Sequence, residues 1–499
     1  MSWINQIKKS KKTGYYNSLY KVLCSKNILR VAFYKIKHNS KNSDLEFDEP
    51  ITLSNLDDYI IDKIEYNLKC KSFKFTSIKK INVQGTTKAI NIPTIYDKIV
   101  QKAIVMILES IYEPKFSDFS YGFRPNRNRY SALKKISRWT NTTWVINGTL
   151  ANTFDKNQFQ KLVSILKRLI KDNQFIDLIW NLLEAGYLEN SRFKWFPLAN
   201  ILKNNILFSI LFNVYLDELD FFVENLIDEI SSKQGGYHIF KKLNTIRQKK
   251  HNKIIQLLKS ASFLNNKKFN FKELNSAVNY TRYANTWVIG ITSDQMSAIK
   301  IKIKINSFLK KKLLLTLNSY ETKLTYLLNQ KTEFLGTFFF TQPRDSFSKT
   351  IKSKIVCKNS KNFKIHFHMP TSKIFRIMID KGFIKIKIIN NIKYYIPFAI
   401  SKWIFLNHKS ILLKYNAISE KLFKSYYFVD NITQFWNISY SFLRHSCAKT
   451  LGRKFNLHSR AAVFKKFGKN LSEPSWSKSS TKRIELKTTC NFKPKEFCT

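Results

Sequence analysis

The segment TRYANTWVIGI, at residues 281–291, predicts a tight β-hairpin because two apolar runs flank the polar dipeptide Asn285-Thr286. Two adjacent carboxylates at such a tip can hold divalent metal ions, since hard cations need carboxylate oxygens. Asn285 and Thr286 offer neutral oxygens instead. No Asp or Glu lies between Glu273 and Asp294, so a shift in register cannot bring a carboxylate to the tip. The segment therefore predicts the frame of a metal site without its ligands.

The chain is strongly basic along its whole length. Its 499 residues carry 86 Lys and Arg against 34 Asp and Glu, a formal charge of +52. A protein of this charge binds phosphate backbones with a steep dependence on salt, which favours a nucleic-acid partner. Lys, Asn, Ile, Phe and Tyr, which AT-rich codons encode, are abundant. Part of the charge is thus codon bias, and the composition indicates a gene in an AT-rich organellar genome.

Cysteine spacing and hydropathy exclude several classes of protein. The six cysteines form no CxxC pair, which argues against a zinc site or a disulfide framework. The most apolar stretch, NILFSILFNVYL at 205–216, is too short to span a bilayer. The first residues show the pattern of neither a signal peptide nor a transit peptide. We expect a globular protein with no membrane contact and no cofactor.

Hydrophobic spacing predicts a mixture of helices and strands. Helices are expected at 51–70, 96–116, 130–140, 156–187, 205–229 and 295–312. Alternating residues predict hairpins at 72–95 and 384–396. The polar, irregular residues 231–279 indicate an insertion. Residues 341–350 indicate a linker, after which helical patterns dominate to about residue 470.

Several segments resemble, in order, the sequence blocks of group II intron reverse transcriptases. The segment 90–133, which contains SYGFRPNR at 120–127, is similar to their second block. Later segments follow the same order: 144–166 with 178–187 resembles the third block, 211–220 the end of the fourth, 281–291 the fifth, 315–327 the sixth and 333–340 the seventh. The order and spacing of these blocks make the resemblance specific.

The C-terminal third resembles domain X, the maturase domain of the same family. The similar segments are 411–431 and 439–471, which includes SCAKTLGRKF. The chain is thereby identified as a member of the organellar group II intron maturases. The resemblance implies an α/β reverse transcriptase-like fingers and palm followed by a helical thumb and domain X. The implied parts are a basic N-terminal extension (1–50), fingers and palm (51–345, with the insertion at about 231–279), thumb and domain X (346–475) and a disordered tail (476–499).

The resemblance places the metal-binding aspartates of the family at Thr149, Asn285 and Thr286. Nucleotidyl transfer in this class uses two metal ions that clamp the attacking and leaving oxygens, and these three residues supply no negative charge for them. The glycine-rich nucleotide loop of the fourth block is replaced by Asn-Ile-Leu-Lys-Asn-Asn at 200–205. We therefore expect no catalytic residue, no metal site and no polymerase activity.

Basic residues in the retained motifs are candidates for RNA contact. Arginine is scarce here and can bind phosphate through two hydrogen bonds, so the loop 121–129 stands out. Arg124 is equally compatible with an ion pair to a buried carboxylate, and Lys79 and Lys80 with a solvated face. A solvated amphipathic helix is the alternative for domain X. The candidates are Lys79, Lys80, Arg124, Asn126, Arg127, Arg129, Arg444, Lys449, Arg453, Lys454, Arg460, Lys465 and Lys466.

The resemblance implies an RNA-binding splicing factor that stabilises group II intron RNA while the RNA performs the chemistry. An active intron-encoded reverse transcriptase is one alternative, which the residues at 149, 285 and 286 oppose. A non-splicing organellar RNA-binding protein is another, which domain X opposes. The expected partner is group II intron RNA, and a homodimer is left open. The expected location is the plastid (chloroplast), with the protein encoded there, and the mitochondrion is the alternative.

Overall fold

The computed structural model describes most of the chain. The described residues are 2–12, 14–40, 54–76, 78–82, 89–92, 94–150, 156–185, 187–189, 192–194, 206–233, 278–318, 322–343, 363–390, 392–472 and 485–487. They form two compact units, Met1–Tyr326 and Leu327–Thr499. Both units mix helices and strands, as predicted for the fold class. The predicted domain boundary at 345 falls inside the second unit. Residues 234–277 of the predicted insertion and the loop 200–205 lie outside the described residues, while 231–233 end a helix and 278–279 begin a strand.

The first unit carries ten helices and ten strands among its described residues. The helices are α1 (Ser2–Ser10), α2 (Leu19–Leu23), α3 (Lys26–Ser40), α4 (Ser54–Lys69), α5 (Ile95–Tyr112), α6 (Arg129–Ile136), α7 (Lys156–Leu166), α8 (Asn173–Ala185), α9 (Ile206–Lys233) and α10 (Gln295–Leu313). The strands are β1 (Lys11–Lys12), β2 (Tyr15–Tyr16), β3 (Ile78–Asn82), β4 (Ala89–Ile92), β5 (Trp144–Thr149), β6 (Tyr187–Glu189), β7 (Arg192–Lys194), β8 (Val278–Tyr283), β9 (Thr286–Ile291) and β10 (Lys323–Tyr326).

The core of the first unit is built around α5. This helix begins after Thr94, whose hydroxyl accepts a hydrogen bond from the Asp97 amide at 3.2 Å, and its apolar residues are almost all buried. Helix α3 packs against α5, and Leu23 and Leu29 are fully buried in the same core. The residues predicted to form an N-terminal extension therefore belong to this unit, because α1 to α3 supply apolar surface to its core.

Two four-stranded sheets complete the first unit. The strands β10, β5, β9 and β8 form one antiparallel sheet in that order. Strand β9 lies between β5 and β8 and is buried over most of its length, which explains its nearly continuous apolar sequence. The second sheet has the order β4, β3, β6 and β7, and the β3–β4 pair is the hairpin predicted at 72–95.

The second unit combines a three-stranded sheet, a separate hairpin and four helices among its described residues. Its strands are β11 (Thr332–Phe334), β12 (Thr337–Pro343), β13 (Phe363–His368), β14 (Ile384–Ile389) and β15 (Ile392–Pro397). Its helices are α11 (Thr371–Asp380), α12 (His408–Tyr426), α13 (Ile432–Lys454) and α14 (Arg460–Phe467), with a short 3-10 turn at Ser401–Trp403. The hairpin predicted at 384–396 is confirmed as β14 and β15.

Strand β13 corrects the prediction of a helical region after residue 350. Ile365 and Phe367 are buried whereas Lys364, His366 and His368 alternate with them on the more exposed side, which is the periodicity of a strand. Its partner is β12, so the residues 341–343 that were predicted to begin a linker lie in a sheet. The pairing crosses a gap of about 20 residues in sequence, and local patterns do not reveal it.

The predicted disordered tail contains an ordered anchor. Leu486 is 1% exposed, and its amide donates a hydrogen bond to the Asn470 carbonyl oxygen at 2.9 Å. Asn416 on α12 donates to the Glu485 carbonyl oxygen and accepts from the Lys487 amide. The prediction of disorder is wrong for residues 485–487, because a buried leucine and paired backbone groups offset the entropy of ordering them. The described helices include none with the length and apolarity needed to cross a bilayer.

Candidate functional site

The three residues predicted at family metal positions lie together at one end of the β5–β9–β8 sheet. Thr149 on β5 is directly opposite Thr286 on β9. Asn285 and Ala284 form the turn between β8 and β9, and Ala284 adopts a left-handed φ of 54°. The Leu150 amide donates a hydrogen bond to the Asn285 carbonyl oxygen at 3.1 Å, which ties the end of β5 to the turn. The sequence thus located a real cluster of neighbouring positions.

The side chains of this cluster are neutral and half-buried. The Thr286 hydroxyl donates to the Tyr283 carbonyl oxygen at 3.0 Å, so its proton is already engaged within the turn. In the part of the chain that the structure describes, no group of three or more His, Cys, Asp or Glu side chains could hold a metal ion. Two hydroxyls and an amide do not fit a pair of magnesium ions, because these cations require anionic oxygen ligands.

A buried arginine that the sequence did not reveal organises the region behind this turn. Arg282 on β8 is fully buried and forms an ion pair with Asp220 on α9, which is also fully buried, at 2.6 Å. Its guanidinium also donates to Asn213, to the Ala284 carbonyl oxygen and to the Ser120 hydroxyl. With two bonds to Asp220, all five guanidinium donors act in the five hydrogen bonds.

Electrostatics hold this network in its charged form. Burial disfavours the charge of Arg282, but the Asp220 carboxylate outweighs it and raises the pKa of the guanidinium. Tyr280 donates its hydroxyl to the same carboxylate at 2.8 Å, and burial together with Asp220 raises the pKa of Tyr280 well above its usual value. The network therefore keeps the Arg282 guanidinium charged and the Tyr280 hydroxyl protonated at neutral pH.

The loop that follows α5 is fastened directly onto this turn. The Tyr121 amide donates to the Arg282 carbonyl oxygen at 2.9 Å, and Asn213 donates to the Gly122 carbonyl oxygen at 2.9 Å. At Gly122 a Cβ atom would lie 2.3 Å from the Ala284 backbone nitrogen, so only glycine fits there. The SYGFRPNR motif therefore positions the β8–β9 turn.

Within this loop some of the predicted RNA contacts are engaged by protein groups and others are exposed. Arg124 is buried, forms an ion pair with Glu113 at 2.8 Å and donates to the Ser120 carbonyl oxygen, which matches the structural alternative given for it. Arg127 pairs with Asp118 at 2.9 Å and lies over the Tyr121 ring. Asn126 is exposed. Arg129 is the first residue of α6, and Lys79 and Lys80 lie on β3.

The remaining predicted contacts lie on α13 and α14 of the second unit. The buried side of α13 is formed by Leu443, Cys447 and Leu451. The Arg444 guanidinium lies over the Phe464 ring at 4.7 Å and donates to the Lys469 carbonyl oxygen. These contacts fasten α13 to α14 and to the residues after it.

Three further cations of α13 bind carbonyl or hydroxyl oxygens rather than carboxylates. Lys449 donates to the Pro397 carbonyl oxygen at 2.8 Å and Lys454 to that of Ile404 at 3.2 Å. Arg453 lies over the Phe398 ring at 5.0 Å. Burial, with Arg460 and Arg453 nearby, lowers the pKa of Lys449, and no anion among the described residues offsets this.

The basic residues of α14 complete this surface. Lys466 lies over the rings of Phe455 and Phe467, and Arg460 and Lys465 are exposed. Burial, together with Arg460, Arg444 and Lys449, lowers the pKa of His445, so this histidine stays neutral at physiological pH. The predicted basic face is therefore present. Part of it stabilises the fold, and within the described part of the chain no carboxylate forms an ion pair with the exposed Arg460, Lys465 or Lys466.

Comparison with known proteins identifies relatives of both units. Residues 362–497 match the family model of the type II intron maturase. The chain is 30% identical, over 96% of its length and 59% of the relative's, to an uncharacterised 91 kDa protein in a cob intron of Schizosaccharomyces pombe. It is 27% identical, over 88% of its length and 75% of the relative's, to the group II intron-encoded protein LtrA of Lactococcus lactis. The predicted resemblance to group II intron maturases is confirmed.

A third relative bears on the predicted location. The mitochondrial nuclear intron maturase 4 of Arabidopsis thaliana is 28% identical over 40% of the chain and 25% of its own length. One relative is thus described as mitochondrial and neither of the others as a plastid protein. The relatives do not support the plastid and fit the mitochondrial alternative. The chain spans little more than half the length of the yeast intron proteins it matches.

Proposed function

We propose that this chain, a group II intron maturase by its similarities, binds structured group II intron RNA and assists its splicing. The observation that carries the proposal is the match of residues 362–497 to the type II intron maturase model. The intron RNA would supply the transesterification chemistry, and the protein would stabilise the fold of the RNA. The relatives with intron-derived names extend over nearly the whole chain and support the same assignment.

The charge of the maturase domain supports RNA as the partner. Residues 381–419 and 431–472 contain no Asp or Glu, so their lysines and arginines have no local anion in sequence. Phosphate is the ligand that such a surface attracts, and each contact releases counterions from the RNA. Arg444, Arg453, Arg460, Lys465 and Lys466 are the proposed contacts on α13 and α14, and Lys449 and Lys454 contribute charge close to the surface.

We also infer that the chain assists splicing without its own polymerase activity. The neutral cluster of Thr149, Asn285 and Thr286 supports this, because it offers no charge to hold two divalent cations. Primer extension by the purified protein on an RNA template, with magnesium and then manganese, tests the inference. The negative control is a mock purification from cells that do not express the protein. Template-dependent synthesis above this control would overturn the inference and favour the active intron-encoded enzyme.

Crosslinking tests the splicing role. Native protein is crosslinked to RNA at near-physiological salt, and the bound RNA is sequenced. Enrichment of one or a few group II introns, with accumulation of the same unspliced transcripts when the protein is depleted, is the expected outcome. Recovery of all transcripts in proportion to their abundance would contradict it, since that result reflects the net charge alone. A variant with Arg460, Lys465 and Lys466 changed to Gln should enrich the same introns less, because it removes three of the proposed phosphate contacts on α14.

The location and assembly are proposed with the function. A mitochondrial location, with the protein encoded in that organelle, agrees with the AT-rich composition and with the mitochondrial relative. Cell fractionation with antibodies against the chain tests the location. The homodimer stays a prediction, which multi-angle light scattering of the purified protein decides.

A further inference from the structure

The hairpin of β14 and β15 presents a surface that the maturase assignment does not explain. In the described chain these two strands pair only with each other, so they form a two-stranded sheet. Such hairpins bury little by themselves, and large side chains remain exposed on both strands. Ile388 is 63% exposed and Tyr394 is 46% exposed.

One face of the hairpin packs against the rest of the second unit at its Ile384 end, while Ile386 and Ile388 farther along the strand are exposed. Alternation along the strands places Ile384, Ile386 and Tyr395 on this face. Ile384 is fully buried, and the Tyr395 ring stacks on the Phe375 ring of α11 with centroids 5.3 Å apart. The hairpin is therefore anchored on this side, and its orientation does not depend on a ligand.

The opposite face combines two lysines with a tyrosine. Lys387 on β14 lies directly across from Tyr394 on β15, and Lys385 is two residues away on the same face. All three side chains are exposed. The Lys385 ammonium lies 3.7 Å from the centroid of the Phe398 ring, and the Arg453 guanidinium lies over the same ring. We call Lys385, Lys387 and Tyr394 the hairpin face; through Phe398 it is continuous with the basic side of α13.

The charge around the hairpin face selects its occupant. The residues from 381 to 419 include seven lysines and no carboxylate. A second copy of this chain would bring the same positive charge and be repelled. A single-stranded RNA carries phosphates for the lysines and bases whose faces stack on an aromatic ring, which is how sequence-tolerant RNA surfaces are built.

We propose that the hairpin face binds unpaired nucleotides of RNA, with Tyr394 stacking on a base and Lys387 and Lys385 contacting the adjacent phosphates. The proposal rests on the proposed function of the chain as an RNA-binding maturase. It adds a contact that binds single-stranded RNA. The hairpin face adjoins the α13–α14 surface but differs from it, because the rings beside the cations of α13 and α14 are buried or half-buried whereas Tyr394 is exposed. Together the two surfaces would bind a structured region and the unpaired segment next to it.

The test uses the full-length protein and two fluorescein-labelled probes, a short oligouridylate and an RNA duplex of the same length. Tyr394→Ala is expected to weaken oligouridylate binding about tenfold, the effect of losing one base stack, and duplex binding much less. Tyr394→Phe keeps the ring and should bind like the wild type. Lys387→Gln should lower the salt dependence of oligouridylate binding by about 0.7 in log–log slope, the value of one phosphate contact.

Tyr66→Ala is the matched control, because Tyr66 is a 68% exposed tyrosine on α4 of the first unit. It should leave both affinities unchanged. Equal oligouridylate affinity for Tyr394→Ala and the wild type would overturn the proposal, as would a loss for Tyr394→Phe as large as that for Tyr394→Ala. A change of oligomeric state in Tyr394→Ala without a change in affinity would also overturn it and assign the face to a second copy.

Failure of this proposal is distinguishable from failure of the proposed function. If intron RNA is enriched and spliced normally by the Tyr394→Ala protein, and its oligouridylate affinity is unchanged, only the hairpin face is wrong. If the wild type enriches no intron but Tyr394→Ala still weakens oligouridylate binding, the hairpin face holds and the splicing role fails.

Discussion

Arginine is used in two opposite ways in the two units. In the first unit Arg282 and Arg124 are buried and paired with the carboxylates of Asp220 and Glu113. In the second unit Arg444 and Arg453 lie over phenylalanine rings, and no carboxylate among the described residues pairs with them. In the first arrangement the positive charge is neutralised by a carboxylate of the protein itself. The second fixes the position of the side chain and leaves its charge uncompensated.

This difference gives a criterion that distinguishes structural cations from candidate RNA-binding cations in a chain of extreme charge. Net charge and codon bias do not distinguish one basic residue from another. The group that each guanidinium contacts does distinguish them. A buried arginine whose donors all bind protein groups has none left for phosphate. An arginine over an aromatic ring keeps most donors free and pays little entropy when it binds.

Arg282→Met should have the largest effect. It leaves Asp220 charged and unpaired in the core, which destabilises the first unit by about 3–5 kcal/mol. Urea unfolding followed by circular dichroism measures the free energy. Arg127→Met is the control, because its side chain is 22% exposed and its partner Asp118 is mostly in solvent. Equal unfolding midpoints for the two variants would show that the buried pair has no structural role.

Arg124→Met should destabilise the first unit by about 2–3 kcal/mol, since it removes charge-assisted hydrogen bonds to Glu113 and two backbone carbonyls. The double variant with Glu113→Gln measures the coupling between the two side chains. A coupling near zero, together with a clear loss of RNA affinity in the folded protein, would move Arg124 from the structural group to the RNA-binding group.

Gly122→Ala should destabilise the same unit by about 1–3 kcal/mol, because its Cβ would lie 2.3 Å from the Ala284 backbone nitrogen. The nearest atom is backbone, so a second change, Ala284→Gly, should not restore the loss. Thermal unfolding of the single and double variants checks both statements. Full recovery in the double variant would mean that the Ala284 Cβ atom, 3.1 Å from the added Cβ, limits the space at Gly122 and that the backbone does not.

Arg444→Gln should have the smallest effect on stability, within about 1 kcal/mol for a half-buried cation over a ring. The same variant should bind RNA more weakly and with a lower salt dependence, because a phosphate contact is lost. Lys300→Gln, an exposed charge on α10, is the control for net charge. Identical affinity curves for the two variants would remove Arg444 from the RNA surface.

Much of the first unit followed from local pattern. The long helices α5, α9 and α10 and the hairpin at 281–291 all lie close to their predicted positions. The convergence of Thr149 with Asn285 and Thr286 was implied by the resemblance and agrees with the register of β5 and β9. The predicted RNA contacts themselves stay predictions.

What escaped prediction depends on contacts distant in sequence. The pair of Arg282 and Asp220 joins residues 62 positions apart, and no spacing rule connects them. Strand β13 was missed because its partner β12 lies beyond an intervening segment, although Phe363 to His368 alternate visibly. The anchor at Leu486 was missed because three residues in a polar tail carry too weak a pattern. In each case contacts between residues distant in sequence determine the local structure, and composition does not reveal those contacts.

The carboxylate-free stretches of the second unit also have a consequence for its folding. Like charges held at fixed positions repel, so the compact state of this unit stores electrostatic free energy that the expanded chain relieves. A polyanion that binds the folded form stabilises it by mass action, in proportion to the logarithm of its concentration above its dissociation constant. Bound RNA would then stabilise the folded unit. The amount of folded protein in a cell would therefore rise and fall with the concentration of the RNA that it binds.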